Sequence, residues 1–279
     1  MRALVCSSLF ALVFVPACGP NRTTPMRMPW NADAAVPPLG CVPDLDGRIE
    51  ARELMPSLGT PVSFLVSPPG ETRAVDVAGV DLGDGTRRWD LGADYATDGV
   101  AGFVALDPSA QWYAASFPTA TVAVPTDPAG SVDALYRLEE SGFLLLGLAS
   151  HAPSPPEGQT LLVYASPIVL FQLPLVPGAE WISSAEATGT LRGLPYAGRD
   201  TYESRVPALG ELVLPDLTFT QALRVATRVT VSPSAGAAVV RRQSTFVFEC
   251  FGQVAGLVAA DGDDVEDFTT AAEMRRFGL

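Results

Sequence analysis

Apolar and polar residues alternate along much of the chain after residue 61, with the two-residue period of strands that bury one face. The clearest stretch is LRVATRVTV, residues 223–231, where Leu223, Val225, Val229 and Val231 alternate with Arg224, Arg228 and Thr230. It predicts a strand with one buried and one wet face. STFVFEC, residues 244–250, places Phe246, Phe248 and Cys250 on one face and Val247 and Glu249 on the other; if the aromatic face is the core, the Cys250 sulfur points inward. PVSFLVS and TRAVDVAGV read as further strands, punctuated by the turn signals PPGE and GDGT. GFLLLGLA and TLLVYA, by contrast, are continuously apolar, as expected of strands covered on both sides. The loop SHAPSPPEGQ between them marks a candidate sub-boundary near residues 150–160 within a β-rich domain of residues 41–279. The expected fold is mainly β: an antiparallel, curved sheet, half-barrel or sandwich-like.

Two stretches read as helix. EARELM, from Glu50, is short. The end of the chain, DDVEDFTTAAEMRRFGL, has acids in its opening turn, Arg275 and Arg276 in its closing turn and Gly278 near its exit, with Val265, Phe268 and Ala272 roughly on one face. This predicts one C-terminal helix docked on the sheet. No repeat of fixed period is visible, which argues against a propeller or solenoid.

The first residues carry a leader: Arg2 precedes the apolar run ALVCSSLFALVFV, too short for a membrane span and right for the core of a signal peptide over residues 1–17. VPAC, ending at Cys18, resembles the lipobox of bacterial lipoproteins, in which that cysteine is lipidated and becomes the mature N-terminus; Gly19 and Pro20 lack the aspartate associated with inner-membrane retention. The resemblance implies a lipid anchor at Cys18 in the outer membrane. Ordinary cleavage after Ala17 is the alternative and leaves a soluble periplasmic or secreted protein. Of the four cysteines Cys6 leaves with the leader, and a lipid on Cys18 leaves Cys41 and Cys250 to pair as a disulfide in an oxidising compartment. Residues 18–40 are proline-rich without hydrophobic period and read as a tether.

Composition narrows the chemistry. The formal net charge is -13, and the basic side chains are all arginine. An acidic surface repels phosphate backbones, so nucleic acid is not an expected partner. Without lysine, Schiff-base chemistry and phosphate-loop lysines are excluded. The stretch CVPDLDGRIEAREL resembles a calcium loop: with Gly47 at position 6, Asp44, Asp46, Glu50 and Glu53 fall at positions 3, 5, 9 and 12, but Val42 stands where the first carboxylate belongs. No complete metal site follows from it. DGDDVED, residues 261–267, reads as acidic capping of the predicted helix. His151 is the only histidine, in a proline-rich loop with no G-x-S-x-G elbow anywhere, and reads as solvent-facing. Trp89, Trp112 and Trp181 read as core or cross-strand partners more readily than as a sugar cleft. No catalytic residue and no cofactor is expected.

GAEW at 178–181, TYESRV at 201–206, GELVLPDLTFTQALRV at 210–225 and FECFGQVAGLVA at 248–259 resemble a group of bacterial lipoproteins of unknown function. The third stretch is also similar to periplasmic half-barrel domains, in which a strand turns at the proline and resumes as a long strand carrying the arginine; Leu217 stands where that pattern has glycine. The resemblance implies a curved antiparallel sheet whose concave side accepts an apolar ligand or an envelope protein. The expected function is a lipid-anchored binding or structural module of the cell envelope, touching the membrane through its N-terminal lipid. The alternatives are an extracytoplasmic carboxylate-dependent hydrolase and a calcium-dependent adhesion module.

Overall fold

The computed structural model describes residues 40–278. The expected leader, Cys18 and the expected tether through residue 39 lie outside the described residues. One helix, α1 (Ala51–Leu54), precedes strands β1 (Pro61–Val66), β2 (Arg73–Ala74), β3 (Val80–Asp81), β4 (Arg87–Asp90) and β5 (Gly99–Val104). There follow β6 (Val122–Pro125), β7 (Val132–Glu139), β8 (Gly142–Ser150), β9 (Leu161–Gln172), β10 (Glu180–Leu191), β11 (Leu194–Val213), β12 (Thr218–Pro233), β13 (Val239–Phe248), β14 (Gly252–Ala259) and β15 (Thr270–Phe277).

The fold is mainly β, as expected. All strands join one sheet whose main path is β5-β1-β15-β14-β13-β12-β11-β10-β9-β8-β7-β6, with β2, β3 and β4 paired off it; the path is a near-meander of antiparallel pairs that curls until its ends almost meet. The seam is a bridge in which Leu106 and Ala123 exchange backbone hydrogen bonds of 2.8 and 3.0 Å. Such closure satisfies edges that would otherwise invite pairing with another chain.

Local chemistry explains the long hairpins. β10 and β11 are joined through Arg192 and Gly193, at φ 50° and 78°, a tight turn whose twist suits a two-residue hairpin. Pro167 lies inside β9, where residues 164–167 pass beside a single residue of β8 before the pairing resumes at Ile168; a proline without an N–H is tolerated at such an irregularity. Below it the β9–β10 seam is bridged by side chains: Ser183 Oγ accepts from Val169 N at 2.9 Å and Trp181 Nε1 donates to Val169 O at 3.0 Å.

The sheet is clad outside and filled inside. Segment 75–91 lies on β11–β15, where Val77, Trp89 and Leu91 pack with Phe246, Leu257 and Met274. Residues 106–120 cover β7–β9 through Tyr113, Phe117, Leu135 and Leu146. This double covering is why β8 reads as an unbroken apolar run. Inside, Ile49 and Leu54 pack with Leu175, Trp181, Leu223, Val225 and Val247, so the N-terminal segment plugs one end. Gly210 permits β4 to run parallel against β11: a Cβ there would lie 1.8 Å from Arg87 O.

The C-terminal helix is not formed; residues 270–277 are β15, paired with β14, β1 and β2. The gap between β14 and β1 demands a strand to satisfy both ladders, and that demand overrides helix propensity. Phe268 still reaches the core, whereas Val265 is exposed. The wet face expected on residues 223–231 is also corrected, because Arg224 is 2% exposed. The acids at 264–267 lie across it: Arg224 pairs with Asp267 at 2.7 Å, Arg228 and Arg242 with Asp264 at 3.1 and 2.9 Å, and Arg205 with Glu266. Those carboxylates are a clasp on arginines rather than a helix cap.

Candidate functional site

Between the plug and the rim the sheet encloses a cavity of ≈ 750 Å³. Its walls differ in chemistry. β7–β9 contribute Tyr136, Leu145, Leu148, Leu170 and Phe171, with Tyr136 stacked on Phe143 at 4.7 Å and Phe143 on Phe171 at 6.0 Å. β11–β15 contribute a polar row, because Ser204, Thr227, Gln243, Val258 and Glu273 lie opposite one another in successive strand pairs. A second row, nearer the plug, runs Val225, Thr245, Gly256, Arg275 and Val66.

Buried polar groups extend the inner wall of β11. Asp200, 8% exposed, accepts from Tyr164 Oη at 2.6 Å, while its Oδ1 is buried without a partner. Burial raises the Asp200 carboxyl above the ordinary aspartate range, and the Tyr164 hydroxyl opposes that rise. Burial and the Asp200 charge in turn raise the hydroxyls of Tyr196 and Tyr202. Burial pushes Tyr136 up to about 12 against the pull of Arg275. The phenols therefore stay protonated as donors at neutral pH.

Because the raised folded value of Asp200 lies above its unfolded one, stability is lost as pH climbs from about 3.9, the ordinary aspartate value, through the raised value. Asp200→Asn is accordingly expected to raise the urea midpoint near neutral pH and to lose that advantage below about pH 4. A gain that persisted unchanged into acid would contradict this assignment.

The residues singled out in the sequence fall in other places. Cys41 and Cys250 form a disulfide with Cα atoms 5.5 Å apart, at the plugged end. Cys18 lies outside the described residues. In the calcium-like stretch Asp44 and Glu53 converge with Glu249, one ligand atom from each lying within 4.8 Å of the others, whereas Asp46 turns back onto Arg48 N and Glu50 pairs with Glu53 in a capping box. These carboxylates hold backbone: Glu249 accepts from Leu45 N and Glu53 from Glu50 N, both at 2.8 Å. The cluster clamps the N-terminal segment beside Cys250. Glu249 had no sequence signal, since it joins the group from about two hundred residues away.

His151 is exposed in its loop, as expected, but its ring is anchored. Its Nδ1 lies 3.0 Å from Oδ2 of Asp133, which also accepts from Tyr113 Oη at 2.8 Å. Asp133 is fully buried under the outer cladding, and neither residue lines the cavity. Among the described residues Trp89, Trp112 and Trp181 are structural: Trp89 donates to Val77 O, Trp112 to Ser150 O and Trp181 to Val169 O.

Fold and site together describe a nearly closed antiparallel barrel, plugged at one end, with an amphipathic internal chamber. Comparison with known protein families, curated proteins and solved structures finds no match.

Proposed function

We propose that the protein is an exported, lipid-anchored module of the outer envelope that binds an amphipathic small molecule inside its barrel, and that it acts by binding rather than by catalysis. The leader and the VPAC stretch ending at Cys18 support export and anchoring. The observation that carries the binding reading is the ≈ 750 Å³ chamber with one apolar and one polar wall. Ligand sites of roughly 300–1,000 Å³ combine such apolar lining with a few fixed polar groups. A barrel core that served packing alone would be filled by side chains to the density of an organic crystal.

Native mass spectrometry of the full chain extracted from membranes tests the reading. The protein is expected to carry an adduct of amphiphile mass. Leu148→Trp, which places an indole into the chamber, is expected to lose it while keeping its β circular dichroism spectrum. Adduct-free wild-type protein that also takes up no added amphiphile would overturn the proposal.

A further inference from the structure

The chamber holds a cation that pairs with none of its carboxylates. Among the described residues the Arg275 guanidinium has no carboxylate within ion-pair distance and donates no hydrogen bond; it instead lies 5.7 Å from the centre of the Phe103 ring. In a chain with 31 acidic residues that isolation is unusual. The only other described arginines without an ion pair are Arg192, in the β10–β11 turn, and Arg241, which is exposed beside the same chamber. Arg275 is half-buried, whereas its neighbour Arg276 is buried and paired with Asp98.

A second donor stands beside it. Gly256 is paired with Arg275 across β14 and β15, and a Cβ on Gly256 would lie 2.4 Å from Gln253 Nε2 and 3.5 Å from Arg275 Nε. The missing side chain lets the amide and the guanidinium lie together over the strand. Among the described residues the Gln253 amide likewise has no hydrogen-bond partner. Thr245, on the other side of Gly256, and the Tyr136 hydroxyl, electrostatically coupled to Arg275, complete a set of donors within the chamber.

Resting on the ligand-binding reading above, we infer that the chamber is selective for a single-chain amphiphile with an anionic head, such as a fatty-acid carboxylate, held by Arg275 and Gln253 with its tail along the β7–β9 wall. Arginine presents a fork that matches a carboxylate, and a half-buried pair is screened less than one in bulk water. Glu273, two residues along β15 on the same face, opposes an anion, but it is exposed to water and lies one row farther from the plug. The head group is therefore drawn past Glu273 toward Arg275, while Tyr136, Leu170 and Phe171 accept the hydrocarbon.

The test compares two probes with the same tail. Full-length protein freed of bound lipid is titrated calorimetrically with palmitate and with hexadecanol. Palmitate is expected to bind about tenfold tighter or more, the worth of a charge-assisted hydrogen bond. Arg275→Gln is expected to erase that preference by weakening palmitate about tenfold or more relative to hexadecanol, and Arg275→Lys to retain part of it. Hexadecanol binding by Arg275→Gln also shows that the variant folds. Equal affinities for the two probes in wild type, or a preference that survives Arg275→Gln, would overturn the inference while leaving the chamber a binding site. Failure of both probes to bind wild type would overturn the binding reading itself.

Discussion

Loss of the Cys41–Cys250 disulfide is expected to lower the stability of the barrel by about 5 kcal/mol, whether by reduction or by the paired substitutions Cys41→Ser and Cys250→Ser. The magnitude follows from the loop that the bond closes, with a sequence separation of 209. A cross-link over so long a loop removes much of the freedom of the unfolded chain. The position of the bond adds a local consequence. Cys41 begins the segment whose Ile49 exchanges backbone hydrogen bonds with Leu175 at 2.8 and 3.0 Å and whose Leu54 enters the plug. Glu53 O also accepts from Cys250 N at 2.9 Å. Without the bond, the plug is retained only by these contacts and by Glu249. Urea unfolding with and without reductant measures the loss, and hydrogen exchange at Ile49 and Leu175 is expected to quicken before the rest of the sheet opens. An unchanged midpoint under reductant would show that the bond contributes little.

Asp98→Ala is expected to cost about 3–5 kcal/mol, the usual penalty for removing one partner from a buried ion pair. Its carboxylate, with a side chain 2% exposed, pairs with Arg276 at 2.6 Å and Arg73 at 2.8 Å. Arg276 also donates to the carbonyls of Leu91 and Ala93, both at 2.6 Å, and both guanidinium groups lie over the ring of Tyr95 at 4.5 and 5.3 Å. Removing the aspartate leaves two arginines beneath the cladding with too few acceptors for their charge. The loss fastens on the attachment of residues 71–98 to β15, so increased protease sensitivity in that segment is the expected companion of a lower urea midpoint. A variant as stable as wild type would mean that water replaces the carboxylate without cost.

The strand pattern of residues 223–231 illustrates how far alternation can be read. It located a strand correctly and separated Leu223 and Val225 from Arg224 and Arg228, because side chains on a pleated backbone must alternate. It assigned the arginine face to solvent, since arginine is seldom buried unpaired. The carboxylates that cover that face come from residues 264–267, about forty positions away. Those same acids, together with Arg275 and Arg276, had the appearance of helix-end chemistry. Local charge order is compatible with either arrangement; only the open ladders of β14 and β1 select the strand.

The cysteine count pointed to the Cys41–Cys250 bond, and the glycine, proline and apolar spacing pointed to a mainly antiparallel sheet, because compartment chemistry and side-chain period act through composition and near neighbours in the chain. The chamber was of another kind. It exists because the sheet curls until Leu106 meets Ala123, because residues 49–54 fill one end and not the other, and because Gly256 leaves room for Gln253 beside Arg275. Curvature, closure and the pairing of distant strands determine which of two alternating faces points inward, and no local stretch of residues carries that information.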